Sequence, residues 1–312
     1  MSDKGNRARA HGAIIVSVAF LVIGIVLCAA ADTAAPPAPV AAAQQASAVS
    51  PPVSATPSAS VAPPVPIAPS PPGTPPVSVT PPANWKLAFS TDFPGTTLDT
   101  STWDECYPWA ASPQGCNNFG NRDEAEWYVP SQVHVENGAL ALVAQRTPTE
   151  GTDSRGQPKL YTCRSGMVTT YPSVYFKYGF VQVVARLPFG QGLWPAIWLV
   201  PENGSWPPEI DIVEHWGTQL TSRATLHTTK QNKQQRGTVS LPDADQGWHT
   251  FTLYWTQSQI SIYYDGELAL TTTTRIPQLA MYLLLDLADD NTSPGSCSGT
   301  MYVKSVNIWE PS

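Results

Sequence analysis

From residue 85 onward the chain is a succession of short β-rich runs separated by turn residues, and no stretch carries the pattern of a long amphipathic helix. β-Branched and aromatic residues fit a pleated, half-buried surface, and apolar residues alternating with a period of two mark a strand. By these signs strands are expected at residues 139–146, 166–170, 178–187, 193–200, 209–216, 223–228, 248–255, 259–264, 281–288 and 301–309. Asp265-Gly266 is a tight-turn signal after Ile260-Ser261-Ile262-Tyr263-Tyr264, with a further short strand expected beyond it. So many strands without helices can bury their apolar faces only against one another. The fold class is therefore all-β, a sandwich of two antiparallel sheets or a jelly roll.

This domain, residues 85–312, follows two segments of different character. Residues 1–31 carry Lys4, Arg7, Arg9 and His11, then an uncharged, mostly apolar run over 12–31 that ends in Ala29-Ala30-Ala31. A basic start, an apolar centre and small residues at the end fit a secretion signal. The run is also about the ~20 apolar residues needed to cross a bilayer, so membrane anchoring through residues 12–31 stays open. Residues 32–84 are dominated by Pro, Ala, Ser and Val and hold no charge after Asp32, which suits a linker in extended polyproline form and not a domain. The formal net charge of −7 argues against nucleic acid as a partner. Beyond Cys28, four cysteines remain: Cys106, Cys116, Cys163 and Cys297. An even number in an exported domain suggests two disulfides, with three pairings possible. The short loop between Cys106 and Cys116 favours that pair, leaving Cys163 for Cys297.

The segment Trp206-Pro207-Pro208-Glu209-Ile210-Asp211-Ile212-Val213-Glu214-His215-Trp216 sets three carboxylates among β-branched residues and aromatics. On a strand, Glu209 and Asp211 share one face and Ile210 and Ile212 the other. Glu214 is out of phase with them. It joins its partners only if a β-bulge at Ile212-Val213 absorbs one residue. Two carboxyl groups about 5 to 5.5 Å apart across a glycosidic bond are the machinery of a retaining glycosidase, and an acid between them would tune their pKa values. On the preceding strand Trp194, Ala196 and Trp198 alternate onto one face, and aromatic rings there, with Trp216 and Trp206 beside the acids, would stack on sugar rings.

Gly190-Gln191-Gly192-Leu193-Trp194-Pro195-Ala196-Ile197-Trp198-Leu199, followed by Glu209-Ile210-Asp211-Ile212-Val213-Glu214, resembles glycoside hydrolase family 16 in its bulged, laminarinase-like branch. Phe93-Pro94-Gly95, Glu124-Ala125-Glu126-Trp127-Tyr128, Thr225-Leu226-His227 and Val306-Asn307-Ile308-Trp309-Glu310 agree with it in order and spacing. The resemblance implies a concanavalin-like β-jelly roll with a substrate cleft on its concave face. It implies Glu209 as nucleophile, Asp211 as helper and Glu214 as general acid/base. His227 would contact Glu214 or the leaving-side sugar, and Trp194, Trp198, Trp127, Glu126, Asn121 and Trp216 would face substrate. His215 should point away from Glu214.

Departures from the family pattern bear on the substrate. Met167 follows Ser165-Gly166 where an Arg is usual, Arg164 lies on the other side of that pair, and Glu126 stands where Gln is frequent. Asp92 and Lys304 occupy the places of a calcium site in many relatives. Protonated Lys offers a metal no lone pair, so no metal is expected, and Lys304 is expected to pair with Asp92. Two-carboxylate chemistry needs no cofactor. The function implied is a retaining endo-β-glucanase cleaving internal β-1,3 linkages, its partner a β-glucan polysaccharide and its state a monomer, secreted or held at the cell envelope. The alternatives are mixed-linkage glucan, galactan or an exopolysaccharide as substrate, transglycosylation, and a lectin-like wall-binding module.

Overall fold

The computed structural model describes residues 79–110, 115–118, 124–228, 233–293 and 295–312. The expected signal or anchor and nearly all of the expected linker lie outside them. The strands run β1 (Trp85–Thr91), β2 (Glu126–Tyr128), β3 (Val133–Glu136), β4 (Ala139–Gln145), β5 (Thr149–Thr152), β6 (Pro158–Tyr161), β7 (Cys163–Ser165), β8 (Met167–Thr169) and β9 (Gly179–Arg186). They continue with β10 (Leu193–Pro201), β11 (Glu209–His215), β12 (Thr221–His227), β13 (Gln234–Ser240), β14 (His249–Trp255), β15 (Ile260–Tyr264), β16 (Glu267–Thr272), β17 (Met281–Asp289) and β18 (Ser298–Pro311). Each strand expected from the sequence is present, including β16 after the Asp265-Gly266 turn.

Two large sheets form. One has six strands in the order β13-β12-β11-β10-β17-β8. The other has ten, in the order β16-β15-β14-β9-β18-β4-β7-β2, with β1 paired to β18 and β3 to β4. Pairing is antiparallel except between β2 and β7. Strand alternation decides which side of the six-stranded sheet is apolar. Ile197 and Leu199 of β10, Ile210 of β11 and Leu283 and Leu285 of β17 turn inward and are wholly buried against Val181, Val183, Leu253, Ile262, Val306 and Ile308 of the ten-stranded sheet. Each such side chain contributes about 1.5–3 kcal/mol from burial before the entropy of ordering is counted. The residues between them, Trp194, Ala196, Trp198, Tyr282, Asp286 and Ala288, are left for the other face.

Cys106 is bonded to Cys116 and Cys163 to Cys297. The second bond ties β7 to the segment before β18. The expected pairing of Lys304 with Asp92 does not form. Lys304 Nζ instead sits 5.5 Å above the Trp248 ring, where the ring face attracts the ammonium, and Asp92 is exposed.

Strand β13 escaped the sequence reading because Gln234-Gln235-Arg236-Gly237-Thr238-Val239-Ser240 is almost wholly polar, as befits a sheet edge. Its Gly237 has a physical reason. A Cβ there would lie 1.7 Å from the Ala269 carbonyl oxygen of β16, so only glycine lets the edges of the two sheets approach so closely.

Candidate active site

The bulge lies where alternation requires it. On β10, Ala196 pairs with Glu214, Ile197 with Val213, Trp198 with Asp211 and Leu199 with Ile210, which leaves Ile212 without a partner. On β12, Thr225 pairs with Asp211 and Arg223 with Glu214, and the register slips between them. Ile212 and Val213 both enter the core as neighbours in sequence, and the phase shift returns Glu214 to the side of Glu209 and Asp211. A bulge strips a backbone group of its ladder partner, and a buried carbonyl without a donor is costly. Here the buried Tyr264 of β15 crosses between the sheets, and its hydroxyl donates to the Ile212 carbonyl at 2.9 Å. The sequence held a signal for this that was not used. Ile260, Ile262 and Tyr264 alternate inward, and a buried phenol must find an acceptor. Tyr264→Phe is expected to lower stability by about 1–3 kcal/mol and to reduce kcat more than it changes KM. Thermal melts and steady-state kinetics check this; unchanged values in both would mean that the bulge holds its shape without Tyr264.

Burial and mutual repulsion distribute the protons among the acids. Glu214 is raised to about 7, chiefly by burial and then by the charge of Glu209. Thr225 Oγ1 donates to its Oε2 at 3.1 Å. Asp211, buried and flanked by Glu209 and Glu214, is pushed well above the ordinary carboxylate range by burial first and by both neighbours second. Its carboxyl is placed to share a proton with Glu209. Glu209 accepts a bond from the Trp206 indole N–H at 2.8 Å. His227 stands opposite Glu209 in the ladder, not opposite Glu214, and its Nε2 lies 3.3 Å from Glu209 and 3.1 Å from Asp211. Of the contacts expected of His227, to Glu214 or to the leaving-side sugar, the ladder sets Arg223 and not His227 opposite Glu214. Asp211 Oδ2 is close to that nitrogen yet has no well-directed hydrogen bond. Glu209, Asp211 and His227 bring one potential ligand atom each within 4.8 Å of one another, a spacing a cation could use. Their contacts with each other account for the same spacing.

The acids open into a cleft of about 720 Å³. Of the residues expected to face substrate, Trp194, Trp198, Trp216 and His227 line it. Trp194 and Trp216 stack at 5.2 Å. The Trp198 indole N–H donates to Asp286 Oδ2 at 2.7 Å. Asn121 lies outside the described residues. Trp127 and Glu126 are corrections. Trp127 is buried under the β5–β6 hairpin, its ring 5.0 Å from that of Tyr161 and so close to Gly151 that a Cβ there would meet it at 2.6 Å. Glu126 is wholly buried. Its Oε2 accepts the Asp289 N–H at 2.7 Å, and burial raises its pKa to about 7. Glu124 reaches the cleft instead, together with Asp286, Asp290, Arg223 and Arg236, none of which the sequence reading had singled out. Met167 is buried beside Asp286, its partner in the β8–β17 ladder, its sulfur 3.9 Å from Cys116 Sγ, and Arg164 turns to Gln145. His215 points away from the cleft onto Ser222 and Phe189, as alternation after the bulge requires.

A two-sheet β-sandwich with acids and stacked tryptophans in one open cleft defines a carbohydrate-active protein class. Residues 121–298 match the family model "Glycosyl hydrolases family 16". Two endo-1,3-1,4-beta-glycanases of Rhizobium meliloti (strain 1021) are 32% and 34% identical over 244 and 243 residues, each match taking in 70% of this chain and 51% of the relative. The chain thus spans about half the length of these relatives. The catalytic domain of an endo-1,3-beta-glucanase (laminarinase) from Thermotoga petrophila RKU-1 superposes with a TM-score of 0.62 at 25% identity, over 73% of this chain and 98% of that one. The chain belongs to glycoside hydrolase family 16.

Proposed function

We propose that the chain is a retaining endo-β-glucanase that hydrolyses internal β-1,3 linkages, alone or in mixed β-1,3/1,4 glucan. Glu209 attacks the anomeric carbon while Glu214 gives its proton to the leaving oxygen. Water, deprotonated by Glu214, then releases the sugar from Glu209. Asp211 keeps a proton near Glu209, and His227 and Trp206 fix that carboxylate for attack. The observation that carries this reading is the bulge, which puts Glu209, Asp211 and Glu214 on one wall of the cleft while Ile212 and Val213 fill the core. The relatives are consistent with it, being endo-glycanases of 1,3-1,4 linkage.

The test is release of reducing ends from laminarin, cereal mixed-linkage glucan, cellulose and agarose. Oligosaccharides are expected from the first two and none from the last two. Release from agarose alone would overturn the glucan assignment. A chain that retards in gels of these polymers and cleaves none would be a binding module. We also propose residues 1–31 as an export signal or anchor and 32–84 as a linker, which places the enzyme outside the cytoplasm. The two disulfides suit an oxidising compartment.

A further inference from the structure

Trp109 lines the cleft and is 46% exposed, whereas the neighbouring Trp198 is 8% exposed. Leaving so much of an indole in water forgoes a large gain from burial. The local sequence nevertheless holds it there. Ala110 N–H donates to the Tyr107 carbonyl at 3.0 Å, which closes a tight turn over Tyr107-Pro108-Trp109-Ala110. Pro108 takes the second position, where its fixed φ fits, and Trp109 takes the third, at the tip. Both feet of the turn are anchored. Tyr107 and Ala110 are buried, and Cys106 is bonded to Cys116, whose backbone exchanges hydrogen bonds of 3.0 and 2.8 Å with Tyr128. The Trp109 ring lies flat on that of Tyr107, centroids 4.8 Å apart and planes 19° apart, and meets Trp198 edge-on at 6.3 Å. With one face against Tyr107, its open area is the other face and the rim.

Tyr107, beneath it, reaches toward β17, its hydroxyl oxygen 3.4 Å from Asp286 Oδ2. β17 is two places from β11 in the sheet. At about 4.8 Å between neighbouring strands, this part of the cleft lies roughly 10 Å from the strand of acids. Two carboxyls about 5 to 5.5 Å apart embrace a single glycosidic bond, so a sugar on Trp109 is not the one under attack. An indole face held rigid in advance loses little freedom on meeting the apolar face of a sugar ring. We infer that Trp109 is a platform for a remote sugar of the glycan on the β17 side of the cleft, and that it sets a preference for chains long enough to reach it. Contacts with parts of a substrate that do not react hold the reacting bond in place, so the preference is expressed in kcat/KM. This inference rests on the glucanase reading of the site.

The test compares kcat/KM on short and long end-labelled oligosaccharides of β-1,3-linked glucose. The wild-type chain is expected to favour the long ones and to cut them at preferred positions. Trp109→Ala should lower the ratio of long to short kcat/KM about tenfold, the size of one ring-stacking contact, and spread the cuts over more positions. Trp109→Phe keeps a ring and should recover most of the ratio. A ratio and cutting pattern equal in the wild type and Trp109→Ala would overturn the platform. So would a fall of the same size on short and long chains, which would make Trp109 a support of its turn and not a sugar contact. If no glucan is cleaved, the glucanase reading fails. The platform is then judged by affinity electrophoresis of the Glu209→Gln protein in gels of laminarin, mixed-linkage glucan and agarose, where weaker retardation on adding Trp109→Ala supports it and equal mobility throughout refutes it.

Discussion

Glu209→Gln and Glu214→Gln are each expected to lower hydrolysis of β-glucan by at least about a thousandfold while the protein stays folded. The two losses should differ in kind. In the proposed mechanism Glu209 is the nucleophile, so without it every substrate should fail alike. Without Glu214 the leaving oxygen lacks its proton, a need that weakens when the leaving group is a stable phenolate. The Glu214→Gln protein should therefore still release nitrophenol from an activated aryl β-glucoside oligosaccharide, and then stall at the sugar-bound enzyme. Folding should survive both changes. Neither carboxylate lies in the core, and Glu214 is freed by the change from a proton equilibrium it shares with Asp211 and Glu209. Near-normal activity in either variant, with an unchanged melting curve, would remove that residue from the reaction.

The second large effect is on stability. The melting temperature is expected to fall as the pH rises from about 5 to about 8, because the folded chain holds protons that the unfolded chain gives up. Burial raises Glu126 and Glu214 to about 7, Asp289 to about 6 and Asp286 to about 8. For a group whose pKa is raised on folding, its stabilising contribution is complete below the unfolded value and is lost as pH climbs through the folded one. His215 works in the opposite sense. Burial lowers it to about 4, so its contribution is complete above its ordinary value and is lost as pH falls. The carboxyls set the alkaline side and His215 the acid side, which puts the maximum in mildly acid solution. Asp286→Asn isolates one large carboxyl contribution. Asparagine still accepts from the Trp198 indole, as Asp286 does at 2.7 Å, and has no proton to lose. It should flatten the alkaline decline and raise stability near pH 8 by a few kcal/mol, at about 1.4 kcal/mol per unit of pKa displacement. An Asn variant less stable than the parent at that pH would show Asp286 to be ionised and satisfied.

How far the sequence could be read depended on whether a position is governed by local pattern or by packing from afar. β10, β11 and β17 were legible because alternation of period two is a local property. The bulge at Ile212-Val213 was legible for the same reason, since one acid out of phase among three demands an extra residue. β13 was not, because an edge strand bordering the cleft has little to bury and its polar residues carry no periodicity. Trp127 and Glu126 failed in another way. They sit in a stretch that follows the family's substrate-facing loop, but the β5–β6 hairpin folds over Trp127, and Asp289 draws Glu126 inward through its backbone N–H. Neither neighbour is near in sequence. His227 was set beside the acids, but its closeness to Glu209 and Asp211 was not legible, since it rests on the register of β11 with β12. Arg223, Arg236 and Asp286 were passed over because a charged residue on a strand is most often a solvated one.

Covalent trapping with a 2-deoxy-2-fluoro-β-glucan oligosaccharide carrying an activated leaving group tests the central claim most directly. The fluorine slows release of the sugar from the enzyme more than its capture, so a nucleophile that forms a glycosyl ester becomes labelled. Mass mapping of the digested protein is expected to find one sugar adduct per chain, on Glu209, and none in the Glu209→Gln protein. An adduct on Glu214 or Asp211 would contradict the assignment, as would no adduct from a protein that hydrolyses glucan with inversion at the anomeric carbon.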